Sequence, residues 1–267
     1  MRSLLLAALV PLFVTPNAQT QTIPAQFVNG RVLVTVAVNG KQMLLHLDSG
    51  TSGIVLDTGA ARDAGLTVAQ GETTADIDVG TFHASRAAIA VAPYGAKITG
   101  PHVSGLLGGP FFESNVVTID YPHERVIVTP RSAFDPSTMH SKATALLELY
   151  HGMATVPVWI DGVRARMALD TGGAQTMAFR PFADRIGLNW PVRTSRLCTF
   201  GEKCFLVDDY LTGPLVVGTT EFRKALIDVP AQPLLSTKYY DGILGRDVLE
   251  QFAVTFDYAD NAVYFSL

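Results

Sequence analysis

Met43-Leu44-Leu45-His46-Leu47-Asp48-Ser49-Gly50-Thr51 and Met167-Ala168-Leu169-Asp170-Thr171-Gly172-Gly173 are two renderings of one pattern. In each, an apolar stretch runs into Asp-Ser/Thr-Gly, and a Gly-Leu pair follows 17 residues after the aspartate, at Gly65-Leu66 and Gly187-Leu188. One such tripeptide says little. Two of them in the same longer frame imply two related halves, each presenting a carboxylate.

The frame extends outward from both copies. Arg31 to Leu66 lies on Met153 to Leu188 without a gap at an offset of 122, with Gly40 on Gly162 and Val36 on Val158. Val79-Gly80-Thr81, Ala87, Ile89 and Val91 lie on Val217-Gly218-Thr219, Ala225, Ile227 and Val229 at an offset of 138. Gly105-Leu106-Leu107-Gly108, Glu113, Val117-Thr118 and Asp120-Tyr121 lie on Gly242-Ile243-Leu244-Gly245, Glu250, Val254-Thr255 and Asp257-Tyr258 at an offset of 137. A period this long is not that of a solenoid; it describes two lobes. The offset grows by 16 between Leu66 and Val79, so the second half carries an insert within Asn189 to Pro214. Both cysteines lie in it.

Most of the chain reads as short strands with Gly-rich turns, which indicates an all-β architecture. Val32, Val34, Val36 and Val38 alternate toward one face, and Asn39-Gly40 turns the chain into the return strand. Further strands are predicted at 73–79, 87–91, 116–120, 126–129, 155–160, 215–217, 253–257 and 262–265. Two short helices are predicted, one opened by Asp57 and ended by Gly65, the other opened by Pro181 and ended by Gly187. The expected organisation is an export signal over 1–20, a first lobe over 26–130, a linker over 131–145 rich in Ser, Thr, Pro and Ala, and a second lobe over 146–267.

Arg2 followed by the apolar run Leu4 to Val14 is the basis for the export signal, removed near Ala18 or retained as an anchor. The rest of the chain has no segment apolar enough for a membrane helix, so no stable membrane association is expected once the signal is gone. Cys198 and Cys204 flank a turn-like stretch. In a periplasmic or secreted protein they would form a disulfide across a hairpin; otherwise they are two free thiols. The 267 residues carry a net charge of −4 and only 16% charged residues, with no basic stripe, so nucleic acid is not an expected partner. The six histidines are scattered. No metal and no cofactor are expected.

Hydrolysing a peptide without a metal or a nucleophilic side chain requires that water lose a proton as the amide nitrogen gains one. Two carboxyls held close together can do both, because like charge raises one pKa and the pair shares a proton. Asp48 and Asp170 are the candidates. Gly50 and Gly172 allow close backbone approach, and Ser49 and Thr171 offer hydroxyls that could lock one loop to its twin. Leu106-Leu107-Gly108 and Ile243-Leu244-Gly245 read as strands packed behind the loops. A third Asp-Thr-Gly, at Asp57, falls opposite Phe179 in the repeat. It reads as a helix cap.

These motifs together resemble the pepsin and retropepsin group of aspartic proteases, and specifically its bacterial members with two fused retropepsin-like repeats. Aspartic proteases are the standing example of a proton shared between two carboxyls. The resemblance covers residues 26 to 267. It implies two pseudo-symmetric β-barrel lobes with the active site between them. It implies Asp48 and Asp170 as the catalytic pair, supported by Ser49, Gly50, Thr51, Thr171 and Gly172, with Leu107, Gly108, Leu244 and Gly245 packed behind. Gly173 departs from the pattern, having no side chain to help hold Asp170. The implied activity is an aspartic endopeptidase acting on peptides or proteins, complete as a monomer; the alternative is a weak or inactive relative that binds peptides in the same groove. Members of the group close a β-hairpin over the substrate. The first half leaves only Thr67 to Thr74 for one, so the hairpin is predicted in the second half, from Arg196 to Val207 and braced by Cys198 and Cys204, unless that insert is an outward surface loop.

Overall fold

Three sheets account for nearly all of the regular structure in the computed structural model, which describes residues 19–94, 102–140, 143–150, 152–198, 204–266. Residues 1–18 of the expected export signal and residues 199–203 of the expected hairpin lie outside the described residues.

The first lobe is a seven-stranded sheet built from Ala25–Val28, Arg31–Val38, Lys41–Leu47, Gly105–Leu107, Ile54–Asp57, Phe82–Ala92 and Glu72–Val79 in that spatial order. It closes on itself where Ala37 and Val38 pair with Asp78 and Ile77. The alternating valines explain the barrel: Val32, Val34, Val36 and Val38 are all fully buried, as β-branched residues on a core-facing pleat should be. The turn between the first two long strands places Asn39 at φ 46° and Gly40 at φ 80°, the left-handed pair that a two-residue hairpin demands. Asp161 and Gly162 repeat it in the second lobe at 51° and 77°.

In the second lobe Met153–Ile160 pairs with Val163–Leu169, which runs parallel to Gly242–Leu244 as Lys41–Leu47 runs parallel to Gly105–Leu107. The ten-stranded second sheet also holds the hairpin Arg193–Cys198 with Cys204–Thr212.

The third sheet takes strands from both ends of the chain. Its order is Gln21–Ile23, Arg125–Thr129, Val116–Asp120, Ala253–Asp257, Ala262–Ser266 and Ala143–Leu146. At its centre Thr118 faces Thr255, the residue 137 positions on, with their hydroxyls 2.7 Å apart. A self-matching contact of this sort is what a two-fold axis produces. Phe112 from one half packs edge-on against Phe256 of the other, ring centres 5.1 Å apart, and both are fully buried.

The span 131–145 is more than a connection. It contains two single-turn 3-10 helices, Arg131–Ala133 and Pro136–Thr138, and then enters the edge strand Ala143–Leu146. Four short α-helices are present among the described residues: Thr58–Asp63 and Arg180–Arg185, as expected, and Gly109–Ser114 and Arg246–Leu249, which follow the two apolar-apolar-Gly blocks. No helix among the described residues is long and apolar enough to cross a membrane.

Candidate active site

Each aspartate sits where a strand ends against the strand running parallel to it. The Asp48 amide donates to the Leu107 carbonyl at 3.0 Å, and the Asp170 amide to the Leu244 carbonyl at 3.1 Å. Gly108 and Gly245 then let the chain pass against each loop. A Cβ on Gly108 would stand 2.6 Å from the Gly53 carbonyl oxygen, and one on Gly245 2.5 Å from the Gln175 carbonyl. The Gly109 amide donates to the Thr51 carbonyl at 2.8 Å, and the Arg246 amide to that of Gly173 at 2.9 Å.

The two loops hold each other reciprocally. Ser49 Oγ donates to the Leu169 carbonyl at 2.8 Å and accepts from the Thr171 amide at 3.1 Å. Thr171 Oγ1 donates to the Leu47 carbonyl at 2.9 Å and accepts from the Ser49 amide at 3.0 Å. All four bonds are buried, where a hydrogen bond is electrostatically stronger than in water.

This interlock brings the carboxyls of Asp48 and Asp170 into hydrogen-bond contact. Burial first, and then the facing Asp170 charge, push Asp48 up to about 8. Asp170 is also raised, by burial, but is opposed by the amides of Gly173 and Gly172, by Asp48 itself and by Arg246. Two buried carboxyls in contact cannot both ionise easily, so the pair holds one proton between them.

The asymmetry at the fourth loop position has a physical meaning. Asp48 takes one amide and one hydroxyl: Gly50 N–H on Oδ1 at 2.8 Å and Thr51 Oγ1 on Oδ2 at 2.9 Å. Asp170 takes two amides on one oxygen, from Gly172 and Gly173, each at 2.8 Å. The backbone at Gly173 therefore holds Asp170 although position 173 has no side chain to do so. Two N–H donors and a nearby guanidinium favour the anion at Asp170, which leaves the proton on Asp48.

Above the pair lies a cavity of about 560 Å³. Its wall includes matched pairs from the two lobes: Gly50 with Gly172, Thr51 with Gly173, Val55 with Met177, and Leu106 with Ile243. Leu197 and Cys198 line it too. They belong to the hairpin Arg193–Cys198/Cys204–Thr212, whose strands meet in register at Cys198 and Cys204, joined as a disulfide. The hairpin is longer than the expected span from Arg196 to Val207. Side-chain bonds from Thr194 to Asp208 and from Ser195 to Asp209 extend it toward its root. In the first lobe the expected span, Thr67 to Thr74, holds only the isolated bridge Ala69 to Glu72 before the strand Glu72–Val79 continues.

Among the residues at or near this cavity that sequence reasoning missed, four carry titratable groups. Arg31, His46 and Tyr94 line it, and Arg246 stands behind. His46 is buried and held down to about 3 by burial, then by Arg246 and Arg31. The repeat gives no sign of Arg31, His46 or Arg246: Met153, Ala168 and Gly109 stand at the matching positions.

Asp57, the third Asp-Thr-Gly, lies outside the pair. Its carboxylate accepts from the Gly59 amide and, through its other oxygen, from the Tyr94 amide, both at 2.8 Å, and it caps the helix Thr58–Asp63. Asp57→Ala should lower stability by about 1–2 kcal/mol, the usual cost of a lost cap, while any peptide cleavage stays within about tenfold of wild type. Thermal melts and a peptide assay on the same preparation check both.

No protein-family model matches this sequence, and no curated protein sequence matches it. Solved structures do. The aspartic proteinase from Irpex lacteus is 14% identical over 92% of this chain and 97% of that one, with a TM-score of 0.50. Basic 7S globulin from soybean is 12% identical over 93% of this chain and 95% of that one, with a TM-score of 0.51. The chain thus has the pepsin-like aspartic proteinase fold. One neighbour is named as a proteinase and the other as a globulin, so the likeness speaks for the fold alone.

Proposed function

We propose that this chain is an exported aspartic endopeptidase, formed from two fused retropepsin-like repeats of the bacterial kind, with Asp48 and Asp170 as its catalytic pair. The observation that carries the reading is the contact between two buried carboxyls, one from each lobe, on the floor of an open cavity. A water bridging them would give its proton to Asp170 as its oxygen attacks the peptide carbonyl carbon. Asp48 would protonate the carbonyl oxygen. The amide nitrogen then takes the proton from Asp170, a hydroxyl of the tetrahedral gem-diol returns its proton to Asp48 as the C–N bond breaks, and the pair again holds one proton. The substrate is a peptide or protein. One chain supplies both carboxyls, so a monomer suffices. The disulfide and the N-terminal signal pattern support export.

The competing reading is a peptide-binding relative that does not cut. It is motivated by the missing side chain at position 173, and the amide of Gly173 on Asp170 weighs against it. The test is to incubate the mature protein with an unfolded protein between about pH 3 and 8 and to search for new N-termini by mass spectrometry. Cleavage that falls as pH rises through the ionisation of the second carboxyl supports the peptidase. Peptide binding without new termini at any pH supports the binder.

The hairpin of the second lobe is the working lid in this reading, since Leu197 and Cys198 face the cavity. Lids exclude water and complete a site. Cys198→Ser with Cys204→Ser should raise KM several-fold and lower kcat, with a smaller effect on the melting temperature than on turnover, because the bridge spans a sequence separation of only 6. Wild-type kinetics in that variant would remove the lid assignment.

A further inference from the structure

The cleft is pseudo-symmetric, but its two ends differ. Arg31 in the first lobe matches Met153 in the second, and both line the cavity. Arg31 opens the strand Arg31–Val38 directly after the tight turn Asn29-Gly30. It is half-buried, and among the described residues no carboxylate lies within the 4.0 Å of an ion pair. Its charged neighbour is Arg246, which repels it. The nearby Tyr94 phenol is pushed up to about 12, by burial first, and stays neutral.

Arg246 cannot serve in its place. Its Nη1 donates to the Asn29 carbonyl at 2.8 Å and to Glu250 Oε1 at 3.0 Å. That guanidinium braces the turn that presents Arg31. His46 stands in the same wall, 3% exposed, one ring nitrogen bound to the Thr171 backbone and Nε2 without a partner among the described residues. A guanidinium does not give up its proton, and a half-buried cation without a counter-ion is costly unless an anion arrives. Arginine is also the side chain best shaped to grip a carboxylate with two parallel bonds.

We propose that the Arg31 end of the cleft is a subsite for a carboxylate of the substrate, and that the Met153 end takes an apolar side chain. The carboxylate is that of an Asp or Glu side chain or of a free C-terminus. The inference deepens the peptidase reading by naming a substrate class, so its test must be able to fail separately.

Sites cut in an unfolded protein are mapped first. Peptides from the best site are then made as Glu/Gln pairs at each position, with a free or an amidated C-terminus. Wild type should prefer one acidic member by about tenfold to a hundredfold in kcat/KM, carried by KM. A preference that persists in the amidated peptide assigns a side chain; one lost on amidation assigns the terminus. Arg31→Gln should abolish the discrimination, Arg31→Lys should keep part of it, and Arg31→Glu should invert it toward a Lys-bearing peptide. Equal discrimination in wild type and a well-folded Arg31→Gln variant overturns the subsite. If nothing is cut, Glu/Gln pairs of an arbitrary unfolded peptide, with a free or an amidated C-terminus, are titrated by fluorescence anisotropy against wild type and Arg31→Gln. Acid preference in binding that depends on Arg31 keeps the subsite while the peptidase reading falls. Cleavage without acid preference sinks the subsite and spares the peptidase.

Discussion

Asp48→Asn is expected to abolish peptide cleavage, by roughly a thousandfold or more, and yet to raise the melting temperature at pH 7. The loss follows from chemistry: an amide can neither hold nor deliver the shared proton, and acid–base groups of this kind are worth about 10²–10⁴ in rate. The gain follows from burial. The Asp48 carboxyl is lifted from 3.8 to about 8, chiefly by burial and then by Asp170. The folded chain therefore binds that proton more tightly than the unfolded chain does. Stability from this group is fullest below the unfolded value and is lost as pH rises toward the folded one. Asparagine never ionises, so it escapes that loss, and the Thr51 hydroxyl can turn to accept from the new amide. An increase of about 5 °C at pH 7 that shrinks to nothing near pH 3 is the expected outcome, read by calorimetry at both values. Retained cleavage would exclude the pair as its source. A melting temperature lowered equally at both pH values would mean that the carboxyls do not share a proton.

Much of this site was legible because it occurs twice. Asp48, Ser49 and Gly50 announce themselves through Asp170, Thr171 and Gly172, and Leu107-Gly108 through Leu244-Gly245. The same property hid the rest. A reading that looks for agreement between halves passes over Arg31, His46 and Arg246, whose counterparts are Met153, Ala168 and Gly109. These are the positions where the two ends of the cleft diverge. The helices Gly109–Ser114 and Arg246–Leu249 were missed for a different reason: six and four residues are too few to show a helical period. The strand Ala143–Leu146 gave no local sign either. Its partner, Ala262–Ser266, lies more than a hundred residues away, and its counterpart Gln21–Ile23 sits on the opposite edge of the same sheet. Only closure of the whole sheet makes either a strand.

Gly50→Ala tests geometry where Asp48→Asn tests chemistry. A Cβ on Gly50 would lie 2.5 Å from both Cγ and Oδ1 of Asp170. A flexible side chain could move aside, but this carboxylate is pinned by the Gly172 and Gly173 amides and by Asp48. The added methyl must therefore spread the two loops. Displacing reacting groups by about 1 Å costs on the order of a hundredfold, so a loss of at least that size is expected, with overpacking lowering stability by about 1–3 kcal/mol. Gly53→Ala is the control, because a Cβ there meets nothing within 4 Å; it should keep both activity and melting temperature. The two active-site variants then separate cleanly. Asp48→Asn inactivates while stabilising, since it removes a charge the fold resists burying. Gly50→Ala inactivates while destabilising, since it removes the close approach that makes the charge shareable. A Gly50→Ala protein with full activity would show that cleavage does not depend on the contact between the two carboxyls.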